Sequence, residues 1–352
     1  MPFSICRILM KWYDENKREL PWRETKDPYI IWISEVILQQ TRVEQGRGYF
    51  LDFVKRFPDV QSLASASEDE VLKHWQGLGY YGRARNLHHA AKDIITRFNG
   101  VFPEKYEDVL SLKGIGEYTA GAICSISRNA PCIAVDGNVF RVLSRFFAIE
   151  TPIDTGAGKK IFTETAKEIL NAEHPGEHNQ ALMEFGALQC VPQSPDCSVC
   201  PLNAECAAFL QNKVSDFPVK QGKTVQKNRY FNYFYVCRDK CTFLSKRTGN
   251  DIWRGLYEFP LIETKHPTPI ETLSRSAEFE SMFSKPVEVS IDSAFYCRKH
   301  VLSHQIIYTH IYKVYIKGDN TYFSGLTKCY DGDFEPYPVS GLIHGYLNKE
   351  CR

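Results

Sequence analysis

The segment "LKGIGEYTAGAI", residues 112–123, sets Gly114 and Gly116 two positions apart, ahead of a run that reads as a helix. Such a pair lets the chain turn tightly between two helices, and the second helix opens on backbone N–H groups with no intrahelical partner. A turn of this kind can receive a phosphate at the positive helix end. To either side, apolar residues recur at three and four positions from residue 1 to about 212. They are punctuated by turn signals such as "RFPDV", "QGLGYYG", "NGVFPEKY", "AVDGN" and "HPGEHN". This pattern predicts an all-α first domain over residues 1–212.

The polar, lysine-rich stretch 213–228 reads as an inter-domain linker. Beyond Arg229 the period changes. "RYFNYFYV", "KCTFLSKR", "VEVSID" and "QIIYTHIYKVYI" alternate β-branched and aromatic residues and read as strands, with "PIETLSRSAEFESMF" as the one clear helix. The fold class expected is multidomain: an all-α domain followed by a smaller α+β domain over 229–352.

At 352 residues, each of two domains can bury its own core. The composition, 43% hydrophobic and 24% charged, is that of a soluble protein, and no apolar run reaches the roughly 20 residues of a membrane helix. The amino-terminal stretch reads as a surface helix rather than a signal peptide, so a cytoplasmic location is expected, in a bacterial cytoplasm or nucleoid. Net charge is only +1, yet residues 73–92, "KHWQGLGYYGRARNLHHAAK", carry four Lys or Arg and no carboxylate. A basic stripe interleaved with aromatic rings suits phosphates and stacked bases.

Two carboxylates flank the glycine turn in sequence. Glu35 lies in "PYIIWISEVILQQT" with Ile31, Trp32 and Leu38 at helical spacing. Apolar surroundings favour the neutral form of a carboxyl and let it act as an acid near neutral pH. Asp136, in "IAVDGNVFRVL", stands at a turn before a helix, where capping N–H groups orient a carboxylate and hold it ionised. Downstream, Cys190, Cys197, Cys200 and Cys206 follow the spacing C-x6-C-x2-C-x5-C, while the other eight cysteines are scattered. Four thiolates can close a zinc site or hold a four-iron cluster; with all four in one short loop after a helix, the cluster is favoured.

The order Glu35, glycine turn, Asp136, cysteine loop resembles the helix-hairpin-helix DNA glycosylases with an iron–sulfur loop, and within them the MutY-type adenine DNA glycosylases. "LPWR", "DPYIIWISEVILQQT", "GLGYYGRARNLHHAA", "GIGEYTAGAI", "VDGNV" and "NQALMEFGALQC" carry the likeness across the first domain. "WRGLYEFP" and "HVLSH" carry a weaker likeness of the second domain to the family's Nudix-like lesion-recognition domain.

This resemblance implies an enzyme that flips adenine, mispaired with 8-oxoguanine or guanine, out of double-stranded DNA and hydrolyses its glycosidic bond. Glu35 would protonate adenine and Asp136 would stabilise the cationic sugar, with Tyr118 and Asn138 in support. Bifunctional relatives carry a lysine at the place of Tyr118, so monofunctional cleavage is implied. Trp22, Arg23 and Gln180 would surround the adenine. Gln39, Gln40, Thr41, Leu78 and Tyr80 would fill the stack or touch the lesion, which Ser303 and His304 would read. The cysteines would hold a 4Fe-4S cluster, and the protein would act as a monomer. Three departures stand out: Lys113 sits where proline is usual, Leu302 where phenylalanine is usual, and the cysteine loop, with "VPQSPD" and "PLNAE", lacks the basic residues the family often places there. A bifunctional endonuclease III-like glycosylase/lyase is the nearest rival. A nucleotide pyrophosphohydrolase is disfavoured because "PIETLSRSAEFESMF" lacks the clustered glutamates that would hold metal.

Overall fold

The computed structural model describes residues 2–222 and 225–350. The chain forms two compact units, Met1–Ser65 with Asn86–Gly222 and Ala66–Arg85 with Lys223–Arg352. The units do not follow chain order, whereas the expected division ran straight along the chain. Helical periodicity shows that a segment has an apolar face but not which unit covers it.

The first unit is helical. The helix Pro175–Leu188 packs against Pro2–Asn16, Glu117–Arg128 and Gly137–Phe147, and Pro28–Leu38 packs against Glu117–Arg128. One core joins Ile5 and Leu9 of the first helix to Val142, Leu143 and Phe146, and to Leu182 and Phe185. Local signals place the helix ends. Asp27 caps Pro28–Leu38 by accepting from the Tyr29 N–H at 2.9 Å, with Pro28 in the first turn, where its missing N–H costs nothing. The turn between Tyr106–Leu110 and Glu117–Arg128 needs its glycine. Gly114 has φ +81°, and a Cβ there would meet Asn86 Cβ at 2.6 Å.

The second unit is built on a sheet. Strands β1 (Lys227–Arg238), β2 (Cys241–Lys246), β3 (Tyr257–Glu258), β5 (Glu288–Val301) and β6 (Gln305–Lys317) run in the order β3-β2-β1-β6-β5; β4 (Leu261–Thr264) pairs with β1 and β7 (Thr327–Tyr330) with β2. β1 and β6 are parallel, in register from Lys227↔Gln305 to Cys237↔Tyr315, and the other pairs are antiparallel. Alternation along β1 sends Phe231 and Tyr233 to one face and Phe234 and Val236 to the other. The first face is covered by Leu342, Ile343 and Tyr346 of the helix Gly341–Glu350, the second by Leu273, Phe279, Met282 and Phe283.

The single helix expected over 269–283 is instead two, Ile270–Leu273 and Ala277–Met282. Serines divide it: Ser274 closes the first, and the Ser276 hydroxyl caps the second by accepting from the Phe279 N–H at 3.2 Å. No helix of the described residues is long and apolar enough to cross a membrane.

Candidate active site

A cavity of about 540 Å³ opens among the helices of the first unit, within the range of small-ligand sites. Its walls bring together Trp22, Arg23, Glu35, Gln39, Gln40, Thr41, Tyr118, Asp136, Asn138 and Gln180, which are scattered over 159 positions of sequence. The two carboxylates therefore share one chamber. Gly114 and Gly116 belong to the hairpin, where Gly116 precedes the first turn of Glu117–Arg128 and caps it without a side chain.

Glu35 is buried on the helix Pro28–Leu38 and has one hydroxyl partner, Tyr118, which donates to its Oε2. Burial lifts the Glu35 pKa from 4.5 to about 7; Asp136 adds to the rise, while the Tyr118 hydroxyl and the Arg23 charge oppose it. Burial and the neighbouring Glu35 carboxylate keep the Tyr118 phenol well above its ordinary value, so it serves as a neutral donor.

Asp136 caps the helix Gly137–Phe147. Its Oδ1 accepts the backbone N–H groups of Asn138 and Val139, each at 2.8 Å, and its Oδ2 accepts Asn138 Nδ2 at 2.7 Å. Burial raises its pKa, and these three donors together with Arg141 work against that rise. The two carboxyl groups thus differ in donors: one for Glu35, three for Asp136.

Sequence reading missed what holds this site. Glu184, buried in the helix Pro175–Leu188, accepts Arg23 Nη1 and Nη2 at 3.0 and 2.8 Å and Arg18 Nε and Nη2 at 2.8 and 2.7 Å. Burial alone would raise the Glu184 pKa, but the hydrogen bonds from Arg18 and Arg23 bring it down to about 2. Glu184 stands four residues after Gln180, one helical turn along the same face, which was the available signal. Tyr13 donates to Gln180 Oε1 at 3.4 Å, which leaves the amide nitrogen available to an acceptor.

Arg141, also missed, ties the site to the cysteine loop. It donates to Asn138 Oδ1 at 2.7 Å, to the Gly186 carbonyl at 2.6 Å and to the Cys190 carbonyl at 2.7 Å. The close approach needs Gly186, where a Cβ would meet Asn138 Cβ at 2.6 Å. Arg145 donates to the carbonyls of Val191 and Pro192 at 2.8 and 3.0 Å and to Cys190 Sγ at 3.4 Å.

Cys190, Cys197, Cys200 and Cys206 line a second cavity, walled by Val142, Phe146, Phe185 and Leu202. All four are free thiols. Among the described residues, no group of three or more His, Cys, Asp or Glu is placed to hold a metal ion.

Leu78, Tyr80, Ser303 and His304 lie in the second unit, where they line a cavity of about 500 Å³. The Tyr80 and Ser303 hydroxyls share a hydrogen bond there.

Comparison with known proteins identifies the family. Residues 33–170 match the family model of the HhH-GPD superfamily base excision DNA repair proteins. The helical fold is shared with a thermostable thymine-DNA glycosylase (TM-score 0.56, 25% identity, 60% of this chain and 97% of that one). An endonuclease III structure solved with DNA shares it too (TM-score 0.52, 22% identity, 59% and 95%). Among sequences, the adenine DNA glycosylase of Homo sapiens is 41% identical over 210 residues, 57% of this chain and 38% of that one. The adenine DNA glycosylase of Buchnera aphidicola subsp. Baizongia pistaciae is 39% identical over 258 residues. Since that alignment spans 72% of this chain and 72% of its relative, the chain belongs to the adenine DNA glycosylase family.

Proposed function

We propose that this enzyme, which removes adenine from DNA in base excision repair, acts on adenine opposite 8-oxoguanine or guanine and leaves the backbone uncut. The observation that carries the mechanism is the contrast between Glu35 and Asp136 in one cavity. Adenine leaves badly as an anion. Glu35, poised near pH 7, delivers a proton to a ring nitrogen of the flipped base, so the base departs neutral. Positive charge then builds on the deoxyribose. Asp136, fixed by Asn138 and Val139, faces that charge as a carboxylate, as in glycoside hydrolysis.

Tyr118 donates to Glu35 and orients it. A phenol has no amine with which to form a Schiff base, which supports hydrolysis without strand cleavage. Trp22, Arg23 and Gln180 shape the base pocket, and Arg23 reaches it because Glu184 holds its guanidinium. Gln39, Gln40 and Thr41, at the end of the Glu35 helix, would occupy space vacated in the duplex. Gly114 and Gly116 would meet the DNA backbone at the hairpin.

Cys190, Cys197, Cys200 and Cys206 would hold a 4Fe-4S cluster: four thiols on one short loop line one apolar cavity, a donor set suited to iron–sulfur ligation. Holding it, the four cysteines would be cross-linked in the loop that Arg141 and Arg145 join to the Asp136 helix. The second unit, a mixed sheet with helices on both faces, suits a Nudix-like recognition domain in which Leu78, Tyr80, Ser303 and His304 read the lesion. We further propose a monomer working at bacterial DNA in the cytoplasm.

The test is adenine release from duplexes carrying adenine opposite 8-oxoguanine, guanine or thymine. Release from the first two and not the third is expected. Equal release from all three contradicts the mispair reading.

A further inference from the structure

The cavity of the second unit holds side chains that the lesion reading above leaves unused, chief among them Trp253. Its backbone has φ +59°, a left-handed conformation that a bulky residue rarely adopts. The surroundings enforce it. The Trp253 carbonyl accepts the Leu256 N–H at 3.0 Å, and Arg247 Nε donates to the preceding Ile252 carbonyl at 3.0 Å. Asp251 is gripped by Arg229 through both terminal nitrogens, at 2.9 and 2.7 Å, and by Arg247 at 2.7 Å. Those arginines are themselves braced by Glu263 at 2.7 and 2.6 Å and by Glu258 at 2.8 Å. A conformation over-determined in this way at a cavity wall points to a use for the side chain.

The indole is fixed as firmly as its backbone. Phe231 packs edge-on against it at 6.1 Å and 80°, and His300 at 5.8 Å and 64°. The rest of the half-buried ring lines the cavity together with the Ser303 hydroxyl. A ring already immobilised loses little rotamer freedom when a flat ligand lies on it. Leu302, which lines the same cavity, cannot take this part because it has no π face.

We infer that Trp253 is the stacking residue of the lesion-reading cavity, covering the face of the purine opposite the excised adenine while Ser303 bonds that purine's edge. The inference rests on the reading of Ser303 given above. It assigns the purine's recognition two separable parts, an edge contact that tells 8-oxoguanine from guanine and a face contact that accepts either.

The test measures binding of the full chain to duplexes holding a non-cleavable 2′-fluoro adenosine analogue opposite 8-oxoguanine, guanine or an abasic site. Trp253→Ala should weaken binding roughly 10-fold or more for both purines and leave the abasic duplex unchanged. Trp253→Phe should retain most of the affinity. The fluorescence difference between wild type and Trp253→Phe should be quenched by the purine duplexes alone. Ser303→Ala should narrow the gap between 8-oxoguanine and guanine. If Trp253→Ala weakens all three duplexes alike, or none, while Ser303→Ala narrows that gap, stacking is refuted and the edge reading stands. If neither variant changes anything, the cavity does not read the purine and both fall.

Discussion

Glu184, with 2% of its side chain exposed, clamps Arg23 through two hydrogen bonds of 3.0 and 2.8 Å and receives Arg18 on the same two oxygens. All three side chains line the cavity that holds Glu35 and Asp136, and the clamp fixes the Arg23 guanidinium there. Glu184→Ala leaves two cations facing each other without an anion. Loss of a partner from such a buried group costs about 3 kcal/mol, measurable by urea unfolding. Base binding should weaken more than the rate of the chemical step. Because the folded pKa of about 2 lies below the ordinary 4.5, the clamp stabilises the fold above pH 4.5 and is lost as pH falls toward 2. The acid-unfolding curve of Glu184→Ala should lack that component.

Arg18, Arg23 and Glu184 also mark the limit of sequence reading. Glu35 and Asp136 stood out because each sits in a local pattern, a carboxyl in an apolar helix and a cap, whereas Tyr118 and Asn138 came only from the family resemblance. The Arg23–Glu184 pairing spans 161 positions, and no local pattern encodes it. The same holds for the bonds from Arg141 to the Gly186 and Cys190 carbonyls, 45 and 49 positions away. The strands of the second unit were legible from alternation, but the parallel pairing of β1 with β6 was not, since alternation fixes faces and leaves partners open. The grouping of 66–85 with the second unit was hidden for a related reason: a basic, aromatic segment reads the same whichever unit it joins.

The pH dependence of base release should report Glu35. Its working form is the protonated one, so the single-turnover rate should be high below pH 7 and fall as pH rises through about 7. Stability carries the same signature with a defined sign. The folded pKa is raised above the ordinary 4.5, so as pH rises from 4.5 through 7 the unfolded chain ionises first and the folded state loses stability. Glu35→Gln removes that loss, and should be more stable than wild type at pH 8 by on the order of 3 kcal/mol and indistinguishable at pH 4.

Tyr118 lowers the Glu35 pKa by donating to the carboxylate. Tyr118→Phe should therefore shift the fall in rate to higher pH, with a lower plateau from the lost orientation. Borohydride should trap no covalent protein–DNA adduct with wild type. Tyr118→Lys places an amine beside the sugar and should yield one. Strong trapping by wild type contradicts the monofunctional reading.

Arg141 joins Asn138 to the carbonyls of Gly186 and Cys190, so disturbance of the cysteine loop should reach Asp136. Arg141→Lys keeps the charge but cannot span three acceptors. It should slow base release while DNA binding persists. Purified wild type should be brown, with broad absorbance near about 400 nm from the cluster; the variant should lose that colour faster under a chelator. A colourless preparation holding one zinc contradicts the cluster assignment.

The central claim is that a buried acid and a capped carboxylate in one chamber expel adenine. Its most direct test is single-turnover adenine release from a duplex with adenine opposite 8-oxoguanine, by wild type, Glu35→Gln and Asp136→Asn, with binding measured alongside. Wild type should release the base. Both variants should bind the duplex and release adenine at least about 100-fold more slowly. Release by Glu35→Gln at the wild-type rate would contradict the account.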